Sequence, residues 1–179
     1  RTLAWAWNVP LVAVNHMEGH ISAAFLQPKN GKFLISNIQY PALALVVSGG
    51  HTELVLMKKP LSYQIIGATR DDAVGEAFDK VAKILGLEYP GGPVVSKLAE
   101  SGNSEVFPFS PPMIKSPDYD FSFSGIKTAV LYAVRKQAVV NKKLRNDICA
   151  SFQKAVVDVL VATTLRAAKE YKIKTVILA

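Results

Sequence analysis

The feature that most limits how this chain can fold is the stretch ALALVVSGGHTELVLM, residues 42 to 57. Two apolar runs of strand-forming composition flank Ser48, Gly49, Gly50 and His51. Apolar strands on either side of a glycine pair, with glycine supplying the positive φ that a tight reversal needs, predict an antiparallel hairpin. The rest of the chain has to build around that hairpin.

Beyond the hairpin, strand and helix signals alternate. YQIIGA reads as a third strand. DDAVGEAFDKVAKILG sets Val74, Ala77, Phe78, Val81, Ile84 and Leu85 at helical spacing, with Gly86 as the stop. Residues 86 to 120 are rich in glycine and proline (YPGGP, FPFSPP, KSPDYD), which predicts a loop-dominated excursion with a short helix through VVSKLAES. DFSFSG alternates like a strand, and IKTAVLYAVRKQ continues as a helix. A longer helix is expected over residues 144 to 170, then a strand in KTVILA. Ahead of the hairpin, residues 2 to 7 read as the end of a helix and PLVAV as a buried strand. Residues 17 to 26 read as a helix stopped by the loop QPKNGK. Strands alternating with helices, plus one leading hairpin, give an α/β fold class.

Composition narrows the function classes. Of the 179 residues, 50% are hydrophobic, yet the runs look too short for the roughly 18 residues of a membrane span. No charged-then-apolar signal pattern opens the chain. The only cysteine, Cys149, excludes an internal disulfide and a Cys-rich metal knuckle. A soluble cytoplasmic protein with no membrane partner is expected. The net charge of +7 is one-sided. Residues 1–114 carry 9 Lys/Arg against 9 Asp/Glu, and residues 115–179 carry 12 against 5. Such a basic half suits a polyanion such as RNA, and equally suits ordinary solvated helix faces.

Four motifs carry chemistry. In NHMEGH, His16 and His20 stand four apart, so on a helix both imidazoles project from one face and can share one metal ion. Glu18 falls off that face, so the pattern is H-x-E-x-H, whereas a metallopeptidase needs H-E-x-x-H with the glutamate beside the first histidine. A third ligand would be His51, a carboxylate, or a residue outside this chain, and an incidental surface pair also fits. In VVSGGHT, the Gly-Gly turn lets backbone amides approach an anion, with the hydroxyls of Ser48 and Thr52 beside it; a plain hairpin turn fits too. In GEAFDKVAKILGLEYPGGP, Asp79 either pairs with Lys83 or accepts ribose hydroxyls, with Gly91 and Gly92 giving close backbone access. In DFSFSGIKT, Phe121 and Phe123 share a face, Ser124 suits a helix N-cap, and Lys127 is misplaced for the helix dipole and so faces an anion.

In their order and spacing these four motifs resemble the bacterial TsaD family, the tRNA adenosine threonylcarbamoyltransferases once described as O-sialoglycoprotein endopeptidases. The resemblance spans essentially the whole chain. It implies an actin-like, sugar-kinase-like ATPase fold of two ribonuclease-H-like halves. Residues 1–40 would end the first half, and residues 41–179 would form most of the second. The implied reaction moves a threonylcarbamoyl group from threonylcarbamoyl-AMP to N6 of the adenosine 3′ of the anticodon, in tRNAs reading codons that begin with A.

By matching position, His16 and His20 would bind one divalent metal, iron or zinc. Val46, Val47, Ser48, Gly49 and Gly50 would form the substrate-binding turn, and Asp79 and Gly92 would contact the adenylate. His51 would assist proton transfer. The implied partners are tRNA, a smaller paralogous subunit and an ATPase of the same pathway. The resemblance also implies segments before Arg1 and after Ala179, among them a metal-binding aspartate, so this chain is expected to be an internal piece that is inactive alone. The rival readings are a metallopeptidase and a nucleotide-binding scaffold without chemistry.

Overall fold

The structure, a computed structural model, describes residues 1–29, 32–35, 38–139 and 141–179. The hairpin forms as expected. Strand β3 (Ala42–Val47) runs antiparallel to β4 (Thr52–Met57), in register from Ala42 opposite Met57 to Val47 opposite Thr52. β5 (Gln64–Ala68) pairs antiparallel with β4, and β6 (Thr175–Leu178) pairs parallel with β3, giving the order β5-β4-β3-β6. Alternate side chains of a strand leave opposite faces of a sheet. Leu43, Leu45 and Leu54 point one way, and Ala42, Ala44, Val46, Val55 and Met57 point the other. Both sets are buried, which is why these strands are continuously apolar rather than alternating.

Four helices cover the first face: α3 (Val74–Ile84), α4 (Gly91–Ala99), α5 (Ser124–Arg135) and α6 (Lys142–Glu170). Val74, Ala77, Val81 and Leu85 are buried as the helical spacing predicts, and Gly86 ends the run with φ +66°. The ring of Phe78 meets Phe152 of α6 edge to face, centroids 4.9 Å apart. α6 threads this layer and buries Ile148, Cys149, Phe152, Val156 and Val159. It corrects the expectation that no run reaches membrane-span length. By length and composition this helix is long and apolar enough to cross a membrane, and in this fold more than half of its most apolar stretch is buried, the position of a core helix.

The second face is thinner. α2 (His16–Ala23) lays Ile21 on Ala42, Ala44 and Val46, with Met17 beside it. α1 (Thr2–Ala6) forms near the expected place. PLVAV is not a strand: residues 10 to 14 are exposed and pair with no described strand, so their apolar side chains are uncovered. The helix expected over residues 17 to 26 ends at Ala23. Leu26 opens β1 (Leu26–Lys29), which pairs antiparallel with β2 (Lys32–Ile35). Most of the loop expected at QPKNGK is therefore hairpin strand, because backbone pairing satisfies those amides; Asn30 and Gly31 lie outside the described residues.

DFSFSG is also corrected. Only Phe121 bridges to a strand neighbour, Thr69, while Phe121 and Phe123 are fully buried with stacked rings 6.2 Å apart. Ser124 is the first helical residue rather than the cap. The capping acceptor comes from afar. Asp71 Oδ1 accepts the backbone N–H of Phe123 (2.8 Å) and Ser124 (3.2 Å), and its Oδ2 accepts the Ser122 hydroxyl (2.5 Å).

Candidate active site

The end of the sheet where β3 turns into β4 collects most of the candidate residues. Ser48 N–H donates to the His51 carbonyl (2.9 Å) and closes the turn. Its side-chain oxygen accepts from the N–H of Gly50 (3.3 Å) and of His51 (3.0 Å). Two of the amides expected to meet an anion are thus already engaged by the Ser48 hydroxyl. Neither Gly49 nor Gly50 adopts the positive φ expected of it.

The glycine that this end of the sheet requires lies elsewhere, at Gly75 in the first turn of α3. A Cβ there would stand 2.7 Å from the Ser48 carbonyl oxygen and 2.8 Å from Gly49 Cα. The missing side chain lets Gly75 N–H donate to that carbonyl (3.3 Å), while Val74 N–H donates to Thr52 Oγ1 (2.8 Å). The start of α3 is thereby fastened to the turn, and α3 lacks a side-chain cap of its own. Sequence patterning does not reveal this close approach, because Gly75 looks there like one more helix residue.

The histidines arrive from the other face. Asn15 caps α2, its Oδ1 accepting from Met17 N–H (2.9 Å) and Glu18 N–H (3.2 Å), as an asparagine ahead of a helix should. One helical turn then aligns the two imidazoles: Nε2 of His16 and Nε2 of His20 lie 3.2 Å apart. Nitrogens that close can both sit at the ~2.1 Å of a metal–imidazole bond, so the pair fits one cation. The ring of His51 lies 6.1 Å from that of His16, centroid to centroid. Among the described residues no three His, Cys, Asp or Glu side chains gather closely enough to hold a metal ion, so His51 does not complete the set. The structure therefore joins NHMEGH to SGGH, 28 or more positions apart in the chain.

Asp79 lies one turn beyond Gly75. Of the two readings of Asp79, the ion pair with Lys83 does not form; Asp79 Oδ1 accepts the N–H of Gly91 (2.7 Å) at the start of α4. This helix opens at Gly91 because a Cβ there would press on Asp79 Cα at 2.7 Å. Between the two helices lies a cavity of about 350 Å³, lined by Glu76, Asp79, Lys80, Lys83, Tyr89 and Gly91 among others. Gly92 is the next residue of α4 and has open space where a Cβ would be.

The segment Thr69 to Asp72, which none of the four motifs includes in its chemistry, ties these parts together. Arg70 pairs with Asp118 (2.5 Å) and Asp120 (2.9 Å), and Asp120 also accepts Ala68 N–H (3.1 Å). Asp72 receives Lys80 (2.6 Å) and Lys127 (3.3 Å), which supplies the anion expected for Lys127. Burial works against the Asp72 charge, but the hydrogen bonds and charges of the two lysines prevail and hold its carboxyl below the usual range. Two adjacent acids following a strand are the signal that could have found this segment.

The family description matching residues 1–179 is that of TsaD, tRNA N6-adenosine threonylcarbamoyltransferase. A protein of that name from Bacillus subtilis (strain 168) is 49% identical over 180 residues, covering 100% of this chain and 49% of its own length. The one from Endomicrobium trichonymphae is 46% identical over 178 residues, covering 99% of this chain and 50% of its own. The Ralstonia pickettii (strain 12J) protein is 49% identical over 181 residues, covering 99% of this chain and again 50% of its own. This chain thus spans about half the length of the curated relatives it matches, and over that span it belongs to the TsaD family.

Proposed function

We propose that the protein transfers a threonylcarbamoyl group from threonylcarbamoyl-AMP to N6 of the adenosine 3′ of the anticodon, in tRNAs reading A-starting codons. The observation that carries this reading is that the His16–His20 pair meets the Ser48–His51 turn through the neighbouring rings of His16 and His51, from segments that precede β1 and follow β2 in the chain. The function of the family agrees with it. Residues 1–40 are read as the end of one ribonuclease-H-like half and residues 41–179 as most of the other.

In this reading the turn formed by Val46, Val47, Ser48, Gly49 and Gly50 seats the adenylate, and Asp79 and Gly92 position its nucleoside. Asp79 retains Oδ2 for that contact, since Gly91 engages Oδ1. His16 and His20 would hold iron or zinc, which supplies Lewis-acid polarisation of a carbonyl when bound. The N6 amine attacks the carbamoyl carbon, the new N–C bond forms, and the C–O bond to phosphate breaks as AMP departs with the electron pair. The proton lost from the amine passes to a base, a step that His51 assists in this reading; it is half-buried, with its ring 6.1 Å from that of His16. tRNA, a smaller paralogous subunit and an ATPase would be the partners, in the cytoplasm.

The test is nucleoside mass analysis of unmodified tRNA. The tRNA is incubated with threonylcarbamoyl-AMP, the partner proteins and the complete polypeptide as the cell makes it, with and without His16→Ala. The expected result is modified adenosine that falls about 100-fold or more in the variant, together with loss of bound metal. Product that persists undiminished in His16→Ala would remove the histidine pair from the chemistry. Adenylate binding with no product from the unaltered protein would favour a scaffold.

A further inference from the structure

From residue 121 to residue 146 the chain has no Asp or Glu, yet it carries Lys127, Arg135, Lys136, Lys142, Lys143 and Arg145. Lys127 is accounted for by Asp72. The others cluster where α5 ends and α6 begins. Arg135, Lys136, Lys142 and Lys143 are exposed, and the first three have no ion-pair partner among the described residues. Lys143 pairs with Asp147 at 3.2 Å, but its side chain remains 84% exposed. Arg70, Lys80 and Lys154 each meet a carboxylate. Lys58, Lys59, Lys97 and Lys172 have no ion-pair partner among the described residues either, so what marks this cluster is its density: four exposed cations between residues 135 and 143 with no acid among them.

Its placement works against the stability of the free protein. α6 has 29 residues, and its first turn holds Lys142 and Lys143 with no acidic residue. The positive end of a helix dipole disfavours cations there, so the two lysines sit where intrahelical electrostatics would not put them. The last turn of α5 adds Arg135, with Lys136 following. Seven chain steps separate Arg135 from Lys142, so the two pairs lie within about 25 Å of each other at full chain extension. Beside them is a buried guanidinium nitrogen, Arg145 Nε, that finds no hydrogen-bond acceptor.

One more side chain decides the kind of polyanion. Tyr132 is 58% exposed and lies three and four positions before Arg135 and Lys136, on the same face of α5. Cations interleaved with an exposed aromatic suit nucleic acid, whose phosphates meet the cations while a base or ribose packs on the ring.

We infer that the end of α5 and the start of α6 form a contact surface for the RNA phosphate backbone, with Arg135, Lys136, Lys142 and Lys143 as phosphate partners and Tyr132 as a stacking platform. The inference rests on tRNA being the substrate and adds where the chain grips it. The surface lies about 18 Å along α5 from the Asp71-held helix start, at the opposite end of that helix from the Thr69–Asp72 segment. Its role is affinity rather than chemistry.

The test compares two quadruple variants of the complete polypeptide in its native complex. One replaces Arg135, Lys136, Lys142 and Lys143 by Gln. The other replaces the exposed Lys58, Lys59, Lys97 and Lys172 by Gln, changing the net charge equally. Binding of a fluorescent unmodified tRNA transcript is followed by anisotropy across a salt series, with adenylate binding measured in parallel. The first variant is expected to bind tRNA roughly 10- to 100-fold more weakly, with the salt slope reduced by roughly 2 to 4, while the second stays within about threefold of the unaltered protein. Adenylate binding stays unchanged in both. Equal tRNA affinity and slope in the first variant would overturn the surface, as would an equal loss in both. Loss of binding to a partner protein with tRNA affinity intact would overturn it too, and assign the surface to that partner. If the unaltered protein binds no tRNA, the function proposed above fails along with this surface, a result distinct from failure of the surface alone.

Discussion

The two faces of the central sheet are built to different standards. On one, Leu43, Leu45 and Leu54 meet four helices and the segment leading into α5, with Phe121, Phe123 and Phe152 fully buried among them. On the other, Ala42, Ala44 and Val46 meet a single eight-residue helix through Ile21 and Met17. Next to it a cavity of about 480 Å³ opens among Phe25, Tyr40, Met57, Leu61 and Tyr63. Trp5 and Trp7 are exposed on the same N-terminal portion of the chain. The thick face holds the fold together and carries Asp79 and Gly92; the thin face carries the histidines to the turn. The histidine pair is therefore the part of the candidate site least tied to the main core.

The sharpest way to break that contrast is to truncate one large side chain on each face. Phe152→Ala should cost about 3–5 kcal/mol in denaturant unfolding, since Phe152 is fully buried and packed against Phe78. Ile21→Ala should cost about 2 kcal/mol, the low end for its type, because the neighbours on the thin face include half-exposed groups free to relax. Equal costs would refute the division. Gly75→Ala tests the joint between the faces: the new Cβ meets backbone at the turn and should cost about 1–3 kcal/mol while weakening adenylate binding. Asp71→Ala removes the distant cap of α5 and should lower stability by about 1–2 kcal/mol, read by urea midpoint, with the turn undisturbed.

The smallest effect is a pH dependence confined to the thick face. The carboxyl of Asp72 titrates lower in the folded protein than in the unfolded chain, so its contribution is present above the unfolded carboxylate range and is lost as pH falls through the folded value. The Asp147 carboxyl is also held low, first by the N–H of Asn103, with burial opposing and Lys143 assisting, so it acts in the same direction. Asp72→Asn should flatten the acid limb of a stability–pH curve. An unchanged limb would show that Lys80 and Lys127 do not act through this carboxylate.

Local patterns make much of this legible. The hairpin, the periodic face of α3 and the long α6 follow from apolar spacing, and the histidine pair follows from two residues four apart on a capped helix. Distant partnerships are not legible in that way. Asp71 caps a helix more than fifty residues later, and Asp79 turns to Gly91 rather than to Lys83, its neighbour on the helix. Gly75 shows no periodic anomaly because its constraint comes from Ser48 across a turn. PLVAV misleads because an apolar run signals a strand only if a sheet receives it.

The fastening of Gly75 to Ser48 has a mechanical consequence. Helix α3 is stiff, and Asp79 follows Gly75 by a little over one turn, about 6 Å of axial rise. The hairpin tip and the Asp79 carboxylate are therefore held apart by a fixed gauge block. A molecule that bridges them has to match that length itself, and the gap between them cannot close without prying the tip from α3.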